Sequence, residues 1–234
     1  MKALGLVGSG RKDGNTNTLV DKILEGAEAN GHEISKVFLA DLKISPIGDC
    51  SACRKAGCCS IEDDFDALMN KVLDSDCVIF GTPVYWFGPS GQMKCFIDRW
   101  ACRMVFDDEG FRARMKSKKC VLVVPHEDER LSVAEHLFAM MEKSFEFIEM
   151  AYVGKIQTKA LRRWEVSKDE AALSTPSSWE LGSQRWRTPR RLLGPLPSTL
   201  GGWRKTLNPE VQHPIPDNGR EPPKFVEIER RAQC

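Results

Sequence analysis

The chain has 234 residues, and its 34 Lys and Arg nearly balance its 33 Asp and Glu for a formal net charge of +1. This balance favours neither nucleic acid nor a membrane surface as the main partner. Hydrophobic residues make up 41% of the chain, which is enough for a sizeable core. No apolar run is long enough to span a bilayer and no secretory signal is recognisable, so the sequence predicts a cytoplasmic protein.

Strand and helix patterns alternate along roughly the first two thirds of the chain. The predicted elements are, in order, a strand at 2–7, a helix at 16–30, a strand at 32–40, a cysteine-containing loop, a helix near 62–73, a strand at 77–84, a helix near 92–104, a strand at 118–126, a helix at 132–148 and a last strand within 147–156. The strands are continuous apolar runs. This pattern is typical of a parallel sheet covered by helices on both faces.

The C-terminal part of the chain has a different composition. Residues 186–234 hold eight of the 13 prolines and show no helical or alternating period. Such sequence is typical of loops or disorder. We therefore expect one domain over residues 1–183, followed by a Pro/Arg-rich tail over residues 184–234 that is irregular or disordered.

The stretch "GSGRKDGNT", residues 8–16, follows the first predicted strand. Its glycines offer backbone N–H groups and a helix N-terminus to an anion, Ser9, Asn15 and Thr16 add neutral donors, and Arg11 adds charge. It is not a Walker loop, because Gly14 is followed by Asn-Thr, and it is not a dinucleotide fingerprint, because Asp13 replaces the third glycine. A monophosphate cradle fits these residues, and a glycine-rich turn without a ligand is the alternative.

A second loop, "GTPVYWFGPSG", places Tyr85, Trp86 and Phe87 together at the end of the third strand. Three consecutive aromatic residues cannot all point into a core, so some must line a cleft or form a hinge or subunit contact. Both loops leave strands at the carboxyl edge of the predicted sheet, where ligands bind in such folds. A flat isoalloxazine ring beside a phosphate site fits this arrangement.

The segments "GSGRKDGNTNTL", "GTPVYWFGPSGQMKCFIDR" and "CCSIEDDF", in this order and spacing, resemble the NADPH-dependent FMN reductase and iron–sulfur flavoprotein family. The resemblance covers about residues 1–156. It implies a flavodoxin-like three-layer α/β sandwich with a central five-stranded parallel sheet, bound FMN, and a homodimer or homotetramer. It also implies that Ser9, Arg11, Asn15 and Thr16 hold the FMN phosphate, and that the flavin ring and ribityl chain lie along Pro83, Val84, Tyr85, Trp86, Phe87 and Gly88.

The function implied by this resemblance is an FMN-dependent oxidoreductase that accepts electrons from NAD(P)H or another donor and passes them to a small molecule or a protein. The flavin would carry the chemistry, so no catalytic side chain is expected. The sequence has no separate nicotinamide-binding domain, so a nicotinamide would have to stack directly on the flavin. The alternatives are a non-catalytic electron carrier and a flavin-binding regulatory module.

Four cysteines, Cys50, Cys53, Cys58 and Cys59, lie in the loop after the second strand with the spacing C-x2-C-x4-C-C. The iron–sulfur members of the family resemble C-x2-C-x2-C-x5-C, which places Cys50, Cys53 and Cys59 in register and Ile47 at the first ligand position. A [4Fe–4S] cluster requires four ligands, so Cys58 or an outside group would have to complete it. Zinc and a thiol-bearing loop without metal are the other interpretations.

Several further residues have structural interpretations. Asp63 and Asp64 precede a predicted helix and are expected to cap it and to favour its dipole. Cys77 and Cys120 lie in apolar strands and are expected to pack as small hydrophobic residues. His126 and Glu127 leave the fourth strand near the expected flavin, although a solvated loop is the simpler interpretation.

Overall fold

The fold is taken from a computed structural model that describes residues 1–160, 162 and 165–168. The strands within this part of the chain are β1 (Lys2–Val7), β2 (Glu33–Phe38), β3 (Cys77–Gly81), β4 (Lys119–His126) and β5 (Ala151–Lys159). The helices are α1 (Asn15–Ala29), α2 (Ser51–Ala56), α3 (Phe65–Asp74), α4 (Gly91–Asp98), α5 (Trp100–Lys116) and α6 (Glu135–Phe147). The predicted domain boundary at residue 183 and the predicted tail over 184–234 lie outside the described residues.

The five strands form one parallel sheet in the order β2-β1-β3-β4-β5. This is the flavodoxin-like strand order, so the predicted fold class is confirmed. The chain leaves β1 in one direction to form β2 and later returns to the other side of β1 as β3. The switch point between β1 and β3 is where doubly wound sheets bind their ligands.

Each face of the sheet has its own hydrophobic core. Alternate strand residues such as Leu4, Leu6, Phe80 and Leu122 pack against α3 to α6. The intervening residues pack against α1 and against Val166 from a short 3-10 turn at Glu165–Lys168. Side chains of a strand alternate between the two faces, so continuous apolar runs are what a sheet covered on both faces requires.

The helix α1 approaches the sheet closely at Gly81. A Cβ at this position would lie 2.5 Å from Val20 Cγ2 and 3.1 Å from Thr16 Cγ2. The absence of a side chain therefore allows the N-terminal half of α1 to lie directly over the ends of β1 and β3. This packing brings the start of α1 to the carboxyl edge of the sheet.

Three local expectations were wrong. The edge strand β2 is not a continuous apolar run, because its residues are exposed or half-buried. The helix expected near 92–104 is two helices, with Arg99 between α4 and α5, and α5 continues to Lys116 through non-helical backbone at Asp107. The cysteine loop contains the short helix α2, which was not predicted.

The described helices include none that is both long and apolar enough to cross a membrane.

Candidate functional site

A cavity of about 360 Å³ opens at the carboxyl edge of the sheet, beside the switch point. Its lining combines the loops that follow β1, β3 and β4 with the residue that follows β5. The lining residues are Ser9, Arg11, Gly14, Asn15, Thr16, Pro83, Val84, Tyr85, Trp86, Phe87, Pro125, His126, Glu127, Val133 and Ala160. The cavity volume lies within the ordinary range for small-molecule and cofactor sites.

The loop after β1 forms the polar end of this cavity. Gly8 N–H donates to the Gly81 carbonyl over 2.7 Å, and a Cβ at Gly8 would lie 2.9 Å from Ser90 Oγ. These two contacts hold the loop after β1 against the end of β3 and the start of α4. Ser9 and Thr16 are buried polar residues at the cavity wall, and Arg11 is an exposed cation at its rim.

The first turn of α1 also faces this end of the cavity. The helix begins after Gly14, no side chain caps its N-terminus and no acidic residue lies in its first turn. The first N–H groups of a helix have no intrahelical acceptor, and the helix dipole adds partial positive charge there. Together with the hydroxyl groups of Ser9 and Thr16 and the charge of Arg11, these groups fit a phosphate monoester.

The side chain of Asn15 has a different role from the one expected. Its amide Nδ2 donates to the carbonyl oxygens of Arg162 at 2.8 Å and Ala160 at 3.2 Å. Its Oδ1 accepts from Val166 N–H at 3.4 Å. Asn15 therefore binds the segment that follows β5, which we call the C-terminal strap (residues 160, 162 and 165–168), to the start of α1.

The aromatic loop after β3 ends in a tight turn. Tyr85 and Gly88 exchange two backbone hydrogen bonds of 2.9 and 3.0 Å, and the two residues between them, Trp86 and Phe87, have positive φ angles of 50° and 64°. Bulky residues rarely adopt this left-handed conformation, which costs roughly 1–2 kcal/mol per residue. The turn holds three aromatic side chains largely in solvent, with Trp86 97% exposed.

His126 is buried and lines the cavity, and both of its ring nitrogens are engaged. Nδ1 lies 2.9 Å from the Asp128 carbonyl oxygen, so it carries the proton and donates. Nε2 lies 3.1 Å from the Gln157 amide nitrogen, which also donates to the Leu131 carbonyl, so Nε2 accepts. His126 fixes the loop after β4 and has no ring nitrogen left for proton transfer in the cavity.

Nine of the ten residues expected to contact the cofactor line the cavity; Gly88, which closes the turn, does not. His126 and Glu127 also line it: His126 is buried, whereas Glu127 lies in an exposed loop. Pro125, Val133 and Ala160 were missed. Pro125 lies near the end of a predicted strand, Val133 in a predicted helix and Ala160 beyond the last predicted strand, and apolar residues at such positions are also explained by packing.

The cysteine loop is anchored at its base by a buried ion pair. Arg99 Nη1 lies 2.7 Å from Asp63 Oδ2, and the two side chains are 1% and 5% exposed. Asp63 also accepts from the backbone N–H groups of Ser45 and Phe65. Asp63 therefore does bond the first turn of α3 as expected, but its main partner is a buried guanidinium, which the sequence did not indicate.

Asp64 occupies the N-cap position of α3 but makes no side-chain capping bond. Its carboxylate accepts from Lys43 N–H instead.

The expected packing of Cys77 and Cys120 is confirmed, since both are buried in the sheet. Burial raises the pKa of the Cys77 thiol to about 12.

The cysteines of the loop do not present the donor set of an iron–sulfur cluster. Cys53 Sγ lies 3.2 Å from Ser60 Oγ and accepts from Ser60 N–H at 3.4 Å. These contacts, the hydroxyl first, lower the pKa of the Cys53 thiol. Cys59 Sγ faces Arg99 Nη2 at 4.0 Å. Within the described residues, no three His, Cys, Asp or Glu side chains are grouped to hold a metal ion.

Residues 1–159 match the model of a family described as NADPH-dependent FMN reductase. A Bacillus subtilis (strain 168) relative named "Putative NAD(P)H-dependent FMN-containing oxidoreductase YwqN" is 31% identical over 180 residues, which is 76% of this chain and 95% of the relative. An iron–sulfur flavoprotein of Archaeoglobus fulgidus is 42% identical over 99 residues, which is 42% of this chain and only 45% of that relative.

Among solved structures, the chain is similar to the Trp repressor binding protein from Bacillus subtilis. The TM-score is 0.57 and the sequences are 28% identical, with 74% of this chain and 95% of that chain covered. The family model covers all five strands and the whole lining of the cavity except Ala160.

Proposed function

The chain belongs to the NADPH-dependent FMN reductase family, and we propose that it is an FMN-dependent oxidoreductase that takes electrons from NAD(P)H or another donor and passes them to a small molecule or a protein. One observation carries the proposal: a single cavity joins an anion-binding loop to an aromatic turn. When bound, FMN supplies the hydride and electron chemistry. The protein binds and orients the cofactor.

The polar end of the cavity is the proposed phosphate site. Ser9 and Thr16 offer hydroxyl groups that are fixed by burial, and Arg11 offers a charged donor. The N-terminus of α1 supplies backbone N–H groups and a favourable dipole. Asn15 contributes through its backbone N–H and by positioning the C-terminal strap, since its side-chain amide binds Ala160 and Arg162.

The other end of the cavity is the proposed site of the ring and ribityl chain. Pro83 to Phe87 and Pro125 to Glu127 line this part of the cavity in the proposal. Gly88 acts there by closing the turn that presents Trp86 and Phe87. Both ring nitrogens of His126 are engaged, so its proposed role is to position the loop after β4, and the proposed chemistry depends on the cofactor.

An electron donor reaches this site from the solvent side. The aromatic residues at the cavity mouth are exposed, so a second flat ring can approach without displacing the core. This favours direct stacking of a nicotinamide and supports NAD(P)H as the donor.

No step of the proposed function passes through an iron–sulfur cluster. Relatives named iron–sulfur flavoproteins match about half of their own length to this chain. Here Ile47 occupies the first ligand position of their motif. The Cys53 sulfur contacts Ser60, and the Cys59 sulfur contacts Arg99.

Assembly into a homodimer or homotetramer stays a prediction of the family resemblance, and sedimentation of the FMN-loaded chain tests it.

The decisive experiment measures FMN affinity and turnover on the same full-length protein. We expect the protein to bind FMN and to oxidise NADPH or NADH in the presence of a quinone acceptor. Bound FMN without turnover would favour the electron carrier, and no FMN binding would contradict the proposal.

A pair of neighbouring variants tests the phosphate site. Arg11→Gln should weaken FMN binding by about tenfold or more, because a charge-assisted hydrogen bond contributes about 1.5–3 kcal/mol. Lys12→Gln is the matched control, since Lys12 pairs with Asp41 and does not line the cavity. Equal affinities for the two variants would show that the phosphate lies elsewhere.

A further inference from the structure

The loop after β4 presents one acidic side chain to the cavity. Glu127 is exposed and belongs to the cavity lining. Among the described residues that line the cavity, Glu127 is the only one with a carboxylate. The cavity therefore combines aromatic side chains, which suit flat molecules, with one negatively charged group.

Hydrogen bonds on either side of Glu127 fix its backbone. His126 Nδ1 donates to the Asp128 carbonyl oxygen over 2.9 Å, so the chain closes around Glu127. The Gln157 amide nitrogen lies 3.1 Å from His126 Nε2 and donates to the Leu131 carbonyl over 2.7 Å. The backbone that carries Glu127 is thus tied to β5 and to the turn that follows the loop, although the carboxylate itself lies in solvent.

The acidic neighbours of Glu127 in the loop have basic partners. Asp128 accepts from the Arg130 side chain through two contacts of 3.0 and 2.8 Å. Glu129 forms an ion pair with Lys159. Within the part of the chain that the structure describes, Glu127 has no such ion pair. The charge of this loop that is not offset is therefore the one on Glu127.

The proposed cofactor adds negative charge to the same cavity. A phosphate monoester carries roughly 1.5–2 negative charges near neutral pH. Arg11 is the only Lys or Arg among the described lining residues, and it offsets one of these charges at most. An anionic molecule that enters the FMN-loaded cavity is therefore repelled, and a cationic one is attracted.

We propose that Glu127 is a specificity-determining residue that makes the cavity favour neutral or cationic electron acceptors over anionic ones. The inference rests on the proposed function, in which the reduced cofactor passes electrons to an acceptor in the cavity. A quinone acceptor gains two electrons and two protons and becomes a hydroquinone, while the reduced cofactor loses them and returns to its oxidised form. The cavity volume is about 360 Å³, and the Debye length at 0.1 M salt is about 10 Å, so an acceptor inside the cavity stays within the range of this charge.

The test measures the acceptor reaction alone, on the FMN-loaded, full-length protein. The bound flavin is reduced anaerobically with stoichiometric dithionite and mixed with menadione, a neutral quinone, or with naphthoquinone sulfonate, an anionic one, while the flavin absorption is followed. The ratio of the two second-order rate constants is compared between variants, so the difference in reduction potential between the quinones cancels. Because no NAD(P)H is added, the result does not depend on the electron donor.

Glu127→Gln should raise the rate with the sulfonate relative to menadione by about threefold at low salt, because it removes one negative charge from the cavity. Glu127→Asp keeps the charge and should retain the native ratio. Glu109→Gln makes the same change in net charge on exposed α5 surface outside the cavity lining, so it should also retain the native ratio. The effect of Glu127→Gln should shrink at about 1 M salt, where the Debye length is about 3 Å.

The inference is overturned if Glu127→Gln has the native ratio at low salt, or if Glu109→Gln changes the ratio equally. Absorption of the bound flavin verifies that every variant is loaded. If menadione does not reoxidise the reduced native protein, the proposed function fails together with this inference. Normal reoxidation by menadione with the same ratio in all variants would contradict this inference alone.

Discussion

Asp63 and Arg99 form an ion pair that is almost completely removed from solvent. Each side chain has partners besides the other: Asp63 accepts from two backbone N–H groups, and Arg99 donates to the Ser45 carbonyl. The pair thus joins the start of the cysteine loop, the start of α3 and the junction of α4 with α5. Breaking such a pair leaves one buried charge without compensation.

We expect Asp63→Asn to lower the free energy of unfolding by about 3–5 kcal/mol, because Arg99 would keep its charge in a buried site. Chemical denaturation at neutral pH measures this loss. Asp98→Asn is the control: it removes an exposed pair with Lys94 and should cost less than about 1 kcal/mol. Similar losses for the two variants would contradict the structural role of the buried pair.

The ion pair between Asp63 and Arg99 also makes the stability of the folded protein depend on pH. Burial by itself would raise the pKa of Asp63, but hydrogen bonds from Ser45, Phe65 and Arg99 outweigh it and hold the pKa below the ordinary value of 3.8. The stabilisation is therefore fully present above that value and is lost as the pH falls through the lower pKa of the folded state. Asp63→Asn should have a shallower loss of stability below pH 3.8 than the native protein.

At the scale of single elements, the aromatic turn is the clearest case of strain at a candidate site. Trp86 and Phe87 both have positive φ, and a nearly fully exposed Trp86 makes little packing contribution in return. Strained backbone of this kind is concentrated at ligand sites, where it fixes the positions of contacting groups.

Trp86→Gly should leave the free energy of unfolding unchanged or raise it by up to about 1 kcal/mol, because glycine adopts positive φ without strain but loses more chain entropy. FMN affinity or the KM for the electron donor should worsen in the same variant. Phe106→Gly, an exposed aromatic residue within α5, should instead lose about 1 kcal/mol. A large stability loss for Trp86→Gly would show that the tryptophan is a packing residue.

The C-terminal strap is a second element that bears on the site. Asn15 binds it through three hydrogen bonds, and Val166 is fully buried against the α1 face of the sheet. Asn15→Ala should weaken FMN binding by releasing Ala160 from the cavity wall. Asn17→Ala loses its bonds with Asp21 and Lys36 but none to the strap, so it should retain native affinity in calorimetric titration. Parallel losses would exclude a specific role for Asn15.

The sequence predicted the sheet and the two loops that line the cavity, because apolar runs, glycines and consecutive aromatic residues are local signals. It did not predict the partner of Asn15, since that contact joins residues 151 positions apart in the chain. The Arg99–Asp63 pair was missed for the same reason. The exposed edge position of β2 depends on its place in the sheet, which no local pattern reveals. The break of α5 at Asp107 has a local partner, since Asp107 Oδ1 accepts from Gly110 N–H at 2.9 Å, and this signal was missed.

At the scale of the whole molecule, we propose that residues 1–183 contain everything needed to bind FMN. A chain ending after residue 183 should retain the FMN affinity and solubility of the full-length protein. A chain ending after Lys159 should bind FMN more weakly, because it lacks Ala160 in the cavity wall and Val166 in the core. Loss of FMN binding in the longer truncation would place the domain boundary beyond residue 183.

The most direct test of the account is anaerobic mixing of the FMN-loaded, full-length protein with NADPH, and separately with NADH, while the visible absorption of the bound flavin is followed. We expect the flavin absorption to bleach at a rate that rises with the concentration of at least one of the two donors, and to recover when a quinone is added. Bound flavin that stays oxidised with both donors would contradict the assignment of the chain as an NAD(P)H-dependent oxidoreductase.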